Sequence, residues 1–566
     1  MSNRRPYRER QLQFYLETRR CRCSSYASFR SARNPTEPRQ LHRGPGREPQ
    51  VDMYGSTTDV PPLPDVSKQD THADVAALRA SFATGATKDL KIRKSLLRAL
   101  QRLVNENEAV INEAVWKDLH KHPLELFATE VALLKAEIQD FIDYVDDWSK
   151  PKLKPTNIVN LPGLSYIRPE PLGVVCVIGT WNYPINLLLM PLVAALGAGN
   201  CVVVRLPGDD TTRFLNNVLI QLFDKYMDKR YVRVVYGGVE ETKKMLQERY
   251  DLIFATGGNF LGKIVAQAAA QYLTPTVLEL GGKSPCIIDS TADLKLAAKR
   301  IAWGAFVNGG QTCVRPDYLL VDATVGDQFV KLLEGELDAQ YGGANVKESD
   351  SYGRVINQRM YDRLVRMLDR DRKHVAYGGD TDNKQRFISP TLLNFRTEFD
   401  SFVSSAAMSE EIFGPLLPIY YYASGDLDEP INFVTGREKP LALYHFSSNG
   451  KNKERVVNET SAGSMMLNDM LMQLSNAHVP FGGVGNSGMG AYHGHYGFEA
   501  FSHYKTVIYK NGLLDLPQRY APYTPSKKLI LSIAMYPFSR LHMRLLKAFG
   551  FAAVLAIIAV IIRYSV

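Results

Sequence analysis

The 566-residue sequence predicts an α/β protein built around a parallel, doubly wound sheet. Three observations point there. Short Val- and Ile-rich runs alternate with longer segments of helical periodicity between residues 174 and 282. Gly-rich polar turns follow the apolar runs. A separate block of helical patterning precedes them. Strand–helix alternation of this kind argues a parallel sheet that binds its ligands beyond the carboxyl ends of the strands.

Taken in order, the first element is a basic leader. Residues 1–50 hold twelve Arg and four Glu, with no Lys or Asp, and up to about His72 the chain is rich in Arg, Ser, Pro and Gly without periodicity. Such a stretch buries too little surface to fold, so residues 1–75 are expected to be disordered. Two readings stay open. One is a mitochondrial-type presequence, against which Glu9 and Glu17 count. The other is a plain tail, or a start placed too early with Met53 as the true first residue. Residues 73–150 then show apolar residues at helical spacing in three segments. After the Pro- and Lys-bearing PKLKPTNIVNLPGLSYIRPEP come five expected strands: VVCVIGT (174–180), NCVVVRL (200–206), YVRVVYG (231–237), DLIFATGG (251–258) and TVLELGG (276–282).

Charge separates the ends from the middle. The net charge of +9 combines +8 over residues 1–50, +6 from residue 513 onward, and −5 between them. A mildly acidic folded middle argues against nucleic-acid binding, which needs basic residues on a folded face. Six cysteines without a regular framework argue for a reducing compartment and against a disulfide scaffold. The pair Cys21 and Cys23 lacks a matching Cys/His cluster, and no metal site is expected. Cys176, Cys201 and Cys286 sit inside apolar runs and read as inert core residues.

Cys313 differs from these. It stands in FVNGGQTCVRP (306–316), a Gly-rich polar loop between two apolar stretches. Two other loops follow expected strands: Trp181-Asn182-Tyr183-Pro184, and Gly257-Gly258-Asn259-Phe260-Leu261-Gly262, which opens a helix. Glycines let backbone approach a ligand, and a helix N-terminus offers free N–H groups to a phosphate. The spacing matches neither G-x-G-x-x-G nor a Walker loop, so a tight turn without a ligand fits equally well.

LTPTVLELGGKSPCIID (273–289) and NGGQTC (308–313) together resemble the aldehyde dehydrogenase superfamily. TWNYPINL (180–187), SEEIFGPLLPI (409–419) and REKPLALYHFSSN (437–449) agree. VPFGGVGNSGMGAYHGHYGFEAFSHYKTV (479–507) points to the class three branch, which includes fatty aldehyde dehydrogenases. The resemblance covers roughly residues 75–512. It implies a Rossmann-type cofactor domain plus an α/β catalytic domain, with Cys313 as nucleophile, Glu279 as general base and Asn182, with the Cys313 N–H, as oxyanion donor. Gly257, Gly262, Arg205, Glu411 and Phe413 are implied cofactor contacts. Relatives often carry a Lys-Pro-Ser-Glu-like sequence where this chain reads Arg205-Leu206-Pro207-Gly208. The missing acid leaves the choice between NAD, which is preferred, and NADP open. His493 and His495 either line the substrate passage or sit on a surface loop.

The resemblance divides the chain into a basic leader (1–75), a dinucleotide-binding domain (76–281) with oligomerisation strands inserted at 151–170, a catalytic domain (282–479), a return segment with a further oligomerisation strand (480–512), and a gatekeeper-like helix with a membrane anchor (513–566). A homodimer is expected. The expected reaction is NAD(P)-dependent oxidation of aldehydes, long-chain fatty aldehydes first, to carboxylic acids through a cysteine thioester. A broad aromatic or short-chain aldehyde dehydrogenase is the alternative, followed by an acylating enzyme, against which Glu279 counts.

The carboxyl end carries AFGFAAVLAIIAVII (548–562), uncharged and flanked by Lys547 and Arg563. Fifteen residues at ~1.5 Å rise fall short of the ~30 Å hydrocarbon layer, with snorkelling by the flanking cations closing the gap. Arg540, Arg544 and Lys547 precede the segment, which favours a tail anchor with the enzyme facing the cytosol, on the endoplasmic reticulum or mitochondrial outer membrane. Between core and anchor, SKKLILSIAMY (526–536) is expected to be helical, capped by Ser526 and closed by Pro537.

Overall fold

The computed structural model describes residues 63–208, 211–510, 512, 515–536 and 539–565. The leader to residue 62, with Cys21, Cys23 and Met53, lies outside the described residues, as does Pro537. The first long helix, Thr71–Ala83, begins inside the segment expected to be unstructured to residue 75, because Asp70 caps it by accepting from the Ala73 N–H at 3.0 Å. Helices Leu90–Glu106, Glu108–Leu119 and Ala132–Trp148 follow and bury apolar faces in one continuous core with the first sheet.

Among the described residues that sheet runs in the order Thr276–Leu280, Leu252–Gly257, Val174–Ile178, Cys201–Arg205, Val232–Val235, all parallel. The chain winds outward from Val174–Ile178 in one direction, then returns to its other side with Leu252–Gly257. The strand order therefore reverses between these two central strands. The segments that follow them, 180–182 and 257–259, line one cavity at that reversal. Gly488–Met489 from the return segment adds an antiparallel pair beside Thr276–Leu280, with Gly488 opposite Glu279.

At Gly281–Ser284 the chain passes into a second sheet of parallel strands: Thr391–Arg396, Leu416–Tyr422, Tyr318–Asp322, Pro285–Ile288, Ala442–Phe446 and Ser464–Leu467, with Val375–Tyr377 antiparallel at one edge. A third, antiparallel sheet joins Lys152–Lys154, Leu164–Pro171 and Ser502–Tyr509. Leu153, Leu164, Ile508 and Tyr509 are exposed on it.

The carboxyl end departs from expectation in two ways. Helix Pro525–Ala534 is capped by Thr524, whose hydroxyl accepts from the Lys527 N–H, and Pro525 occupies its first turn, so Ser526 is not the cap. It rests on the short turn Pro517–Arg519 and leaves Leu529, Ile530 and Ile533 exposed. The apolar run 548–562 belongs to a longer helix, Arg540–Ser565, of 26 residues. Its Arg540–Ala559 portion is long and apolar enough to cross a membrane, and none of it is buried against the rest of the chain.

Candidate active site

Helix Leu294–Phe306 ends in a turn that explains the sequence NGGQTC. Asn308, Gly309 and Gly310 all adopt left-handed backbone, at φ +56°, +61° and +72°. Asn tolerates that region and Gly enters it freely. Gly310 has no alternative, since a Cβ there would stand 2.5 Å from the Gly414 carbonyl oxygen. The turn delivers Cys313, partly exposed, to a cavity of about 1080 Å³. Buried Arg315 locks the far side by donating to the Gly414 and Leu416 carbonyls.

Cys313, Asn182 and Glu279 all line that cavity. Asn182 arrives from the loop after Val174–Ile178 and donates through Nδ2 to the Gln311 carbonyl at 3.0 Å. One amide N–H is thus spent on orientation, and the other remains for a ligand. Glu279 lies at the end of Thr276–Leu280, 2% exposed, and its Oε1 lacks a hydrogen-bond partner. Burial pushes its carboxyl well above the ordinary range. The Cys313 thiol is also pushed up, first by burial and then by the Glu411 and Glu279 carboxylates, while its own N–H and that of Val314 oppose the shift. Cys176, Cys201 and Cys286 are buried, as their apolar settings predicted.

The other half of the cavity suits a dinucleotide. Gly257 and Gly258 line it at the N-terminus of helix Asn259–Ala270, and no atom lies within 4 Å of where a Gly258 Cβ would stand. Backbone N–H groups there are open to a phosphate. Glu411 and Phe413 line the opposite wall, the Phe413 ring meeting Trp181 edge-on at 5.4 Å. Glu411 packs on Gly281 and is pushed up to about 8, by burial before Asp317. Lys283 donates to the Ala407 and Glu410 carbonyls and to Asp317, while Arg363 donates to the Glu411 and Ile412 carbonyls. These two cations clamp the Glu410–Phe413 wall.

Two of the expected cofactor contacts lie elsewhere. Arg205 is 3% exposed and away from the cavity lining; its guanidinium donates to the carbonyls of Leu206, Pro207, Gly237 and Gly238, shaping the loop at the strand's end. Gly262 packs the helix against the strand bearing Glu279, where a Cβ would meet Leu280 at 2.7 Å. His493 is buried, stacked on Phe481 at 5.3 Å, and pushed down to about 4 by burial. Neither it nor His495, nor any residue of the helix Pro525–Ala534, lines the cavity. Trp181, Thr256, Lys283 and Arg363 do line it and were not foreseen. Lys283, in LGGKS, carried the one available signal: a cation directly after a strand and two glycines.

A thiol and a carboxyl that share one cavity with a phosphate-ready helix end at the reversal of a Rossmann-type sheet define an NAD(P)-dependent oxidoreductase. Comparison with known proteins narrows that class: residues 55–507 match the aldehyde dehydrogenase family. Aldehyde dehydrogenase family 3 member A2 of Rattus norvegicus is 43% identical over 455 residues, covering 80% of this chain and 92% of the relative. The dimeric NADP-preferring aldehyde dehydrogenase of the same organism is 44% identical over 456 residues, covering 80% and 97%. The substrate-bound structure of Staphylococcus aureus AldH is 40% identical with a TM-score of 0.78, over 82% of this chain and 99% of that one. The chain belongs to the aldehyde dehydrogenase family.

Proposed function

We propose that this enzyme oxidises long-chain aliphatic aldehydes to carboxylic acids at a membrane surface, through a thioester on Cys313. The observation that carries the chemistry is the shared cavity of the Cys313 thiol, the oriented Asn182 amide and the Glu279 carboxyl, whose Oε1 has no hydrogen-bond partner. Cys313 Sγ, as thiolate, attacks the aldehyde carbon. The resulting alkoxide takes the free N–H of Asn182 and the Cys313 N–H. Gly257 and Gly258 at the helix end, with Glu411 and Phe413, would hold NAD or NADP, which would supply the acceptor for the hydride leaving this carbon. Glu279 then withdraws a proton from water, which attacks the thioester and frees the acid. Burial suits Glu279 to this task, because it makes the carboxylate a stronger base.

The substrate class rests on the unburied apolar helix Arg540–Ser565, which we read as a bilayer anchor that places the cavity beside a lipid phase. The exposed apolar residues of the Lys152–Lys154, Leu164–Pro171, Ser502–Tyr509 sheet support a homodimer, as does the dimeric relative.

Glu279→Gln should keep the burst of reduced nicotinamide but slow acid release by at least ~10²-fold, while Cys313→Ala should abolish both. Thioester hydrolysis at the wild-type rate in the Glu279 variant would remove the base assignment. Substrate class is read separately from kcat/KM across aldehydes of increasing length, with NAD and with NADP. Each buried methylene contributes ~0.8 kcal/mol, roughly fourfold, so a flat profile would refute the lipid substrate.

A further inference from the structure

A fully buried ion pair lies behind the Asn182 loop, and the reaction steps above leave it without a task. Helix Glu108–Leu119 ends at His120, whose φ of +53° turns the chain so that Lys121 enters the core. Glu130 arrives from a π-helical turn, Phe127–Val131, a distortion that often re-aims a functional side chain. Both residues are 0% exposed, and the Lys121 Nζ stands 2.6 Å from Glu130 Oε1.

The pair grips one short segment at both ends. Lys121 Nζ donates to the backbone carbonyl of Asn182 at 2.9 Å and lies 4.1 Å from the centre of the Tyr183 ring. Glu130 Oε2 accepts the N–H groups of Ile185 and Asn186, at 2.9 and 3.2 Å, where the next helix begins. The nucleophile loop supplies the remaining ties. Asn308 Nδ2 donates to the same Asn182 carbonyl at 2.7 Å, and the Tyr183 hydroxyl meets Thr312 Oγ1 at 2.6 Å, one residue before Cys313.

We propose that Lys121 is a positioning residue for the oxyanion donor: its ammonium holds the Asn182 carbonyl and, with Glu130, fixes residues 182–186 so that the Asn182 amide faces the carbon attacked by Cys313. A compact, strongly hydrated cation is costly to bury, and apolar packing would fill the space more cheaply. What the lysine adds over a hydrocarbon is a directed donor at one carbonyl.

The inference rests on Asn182 being the oxyanion donor, and two reactions of Cys313 separate the possibilities. In acylation by p-nitrophenyl acetate, the acetyl group moves to Sγ, p-nitrophenolate leaves, and charge develops on the carbonyl oxygen. In alkylation by iodoacetamide, the thiolate displaces iodide and no oxyanion forms. Lys121→Met, Asn182→Ala and the double variant are compared in the full-length protein, with alkylation read on the Cys313 peptide by mass spectrometry. Each single variant should slow acylation by about 10²-fold and alkylation by less than about threefold. The double variant should be no slower in acylation than Asn182→Ala alone, because both changes remove the same donor.

Parallel losses in both reactions, or losses that multiply in the double variant, would overturn the positioning role. An unimpaired Asn182→Ala would instead remove the oxyanion assignment beneath it. An impaired Asn182→Ala beside an unimpaired Lys121→Met would sink the positioning role alone. Should Lys121→Met fail to fold, Lys121→Arg keeps the charge opposite Glu130 but replaces the point-like donor with a planar fork. It must show the same split between the two reactions, and equal losses in both would again overturn the proposal.

Discussion

The catalytic centre and the carboxyl-terminal helix carry their function in opposite ways. Around Cys313 the loop is held by side-chain hydrogen bonds within the chain: Gln311 alone bonds the Asn308 and Arg354 carbonyls and the Ile356 N–H. Among the orphaned atoms there is Oε1 of Glu279, a residue that lines the cavity. Along Arg540–Ser565 the situation reverses, with Phe549, Phe551, Val554, Leu555, Ile557 and Ile558 all exposed. One region is determined by contacts the chain makes with itself. The other is an apolar surface that the described chain leaves unburied.

The largest effect that could break this contrast concerns membrane attachment. Fully burying Phe549, Phe551, Ile557 and Ile558 contributes about 1.5–3 kcal/mol each, which already amounts to several decades in partitioning. Removing residues 541–566 should move the enzyme from membrane pellet to supernatant, with turnover of short aldehydes within about twofold of the full-length enzyme, because none of the described span is buried against the rest of the chain. Carbonate washing that strips the full-length protein from membranes would refute the spanning helix. Loss of short-aldehyde turnover in the truncated enzyme would show that the two regions are coupled.

Glycines give the contrast a smaller, more local form. Gly310→Ala forces a Cβ into left-handed backbone and against the Gly414 carbonyl, 2.5 Å away. The left-handed strain costs about 1–2 kcal/mol and the overpacking another 1–3. Gly309→Ala meets the same strain at φ +61° but no atom nearer than 3.5 Å, so only the first cost applies. Gly550→Ala in the terminal helix meets nothing within 4 Å and should gain about 0.5–1 kcal/mol of helix stability. Denaturant midpoints should therefore fall clearly for Gly310→Ala and less for Gly309→Ala, with Gly550→Ala unchanged in the midpoint of the catalytic core. A Gly310→Ala enzyme as stable as wild type would contradict the close approach that the turn requires.

Sequence reading succeeded where information is local. The five parallel strands are near-continuous apolar runs because both faces are covered, and each fell within a residue or two of its expected position. The family motifs singled out Cys313 and Glu279, and both line one cavity. What escaped depends on contacts distant in sequence. Lys121 meets Asn182 across 61 residues, and Lys283 reaches the Glu410 carbonyl across 127, with no periodicity to announce either. Arg205 was implied as a cofactor contact by the family resemblance, whereas its guanidinium donates to the carbonyls of Leu206, Pro207, Gly237 and Gly238. The uncharged run marks only part of the terminal helix, which extends back through Lys547 and Arg544.

The mildest prediction tests whether burial governs the nucleophile. A free cysteine titrates near pH 8.5. In this protein without cofactor the Cys313 thiol is held above its ordinary value, first by burial and then by the Glu411 and Glu279 carboxylates. A raised pKa means that the reactive thiolate is the minor form throughout the neutral range, and that its fraction grows about tenfold per pH unit until the pKa is reached. The iodoacetamide rate at Cys313 should therefore climb from pH 7 to beyond 9 with no plateau, somewhat less steeply than tenfold per unit where Glu411, pushed up to about 8, gains its own charge. Because Glu411 carries its charge only in the upper part of that range, Glu411→Gln should raise the rate a few-fold above pH 8, change it little at pH 7, and so bring the profile closer to unit slope. A plateau below pH 8 would mean that some donor beyond the Cys313 and Val314 N–H groups stabilises the thiolate. In that case the contacts described within the chain would not suffice to account for the catalytic centre.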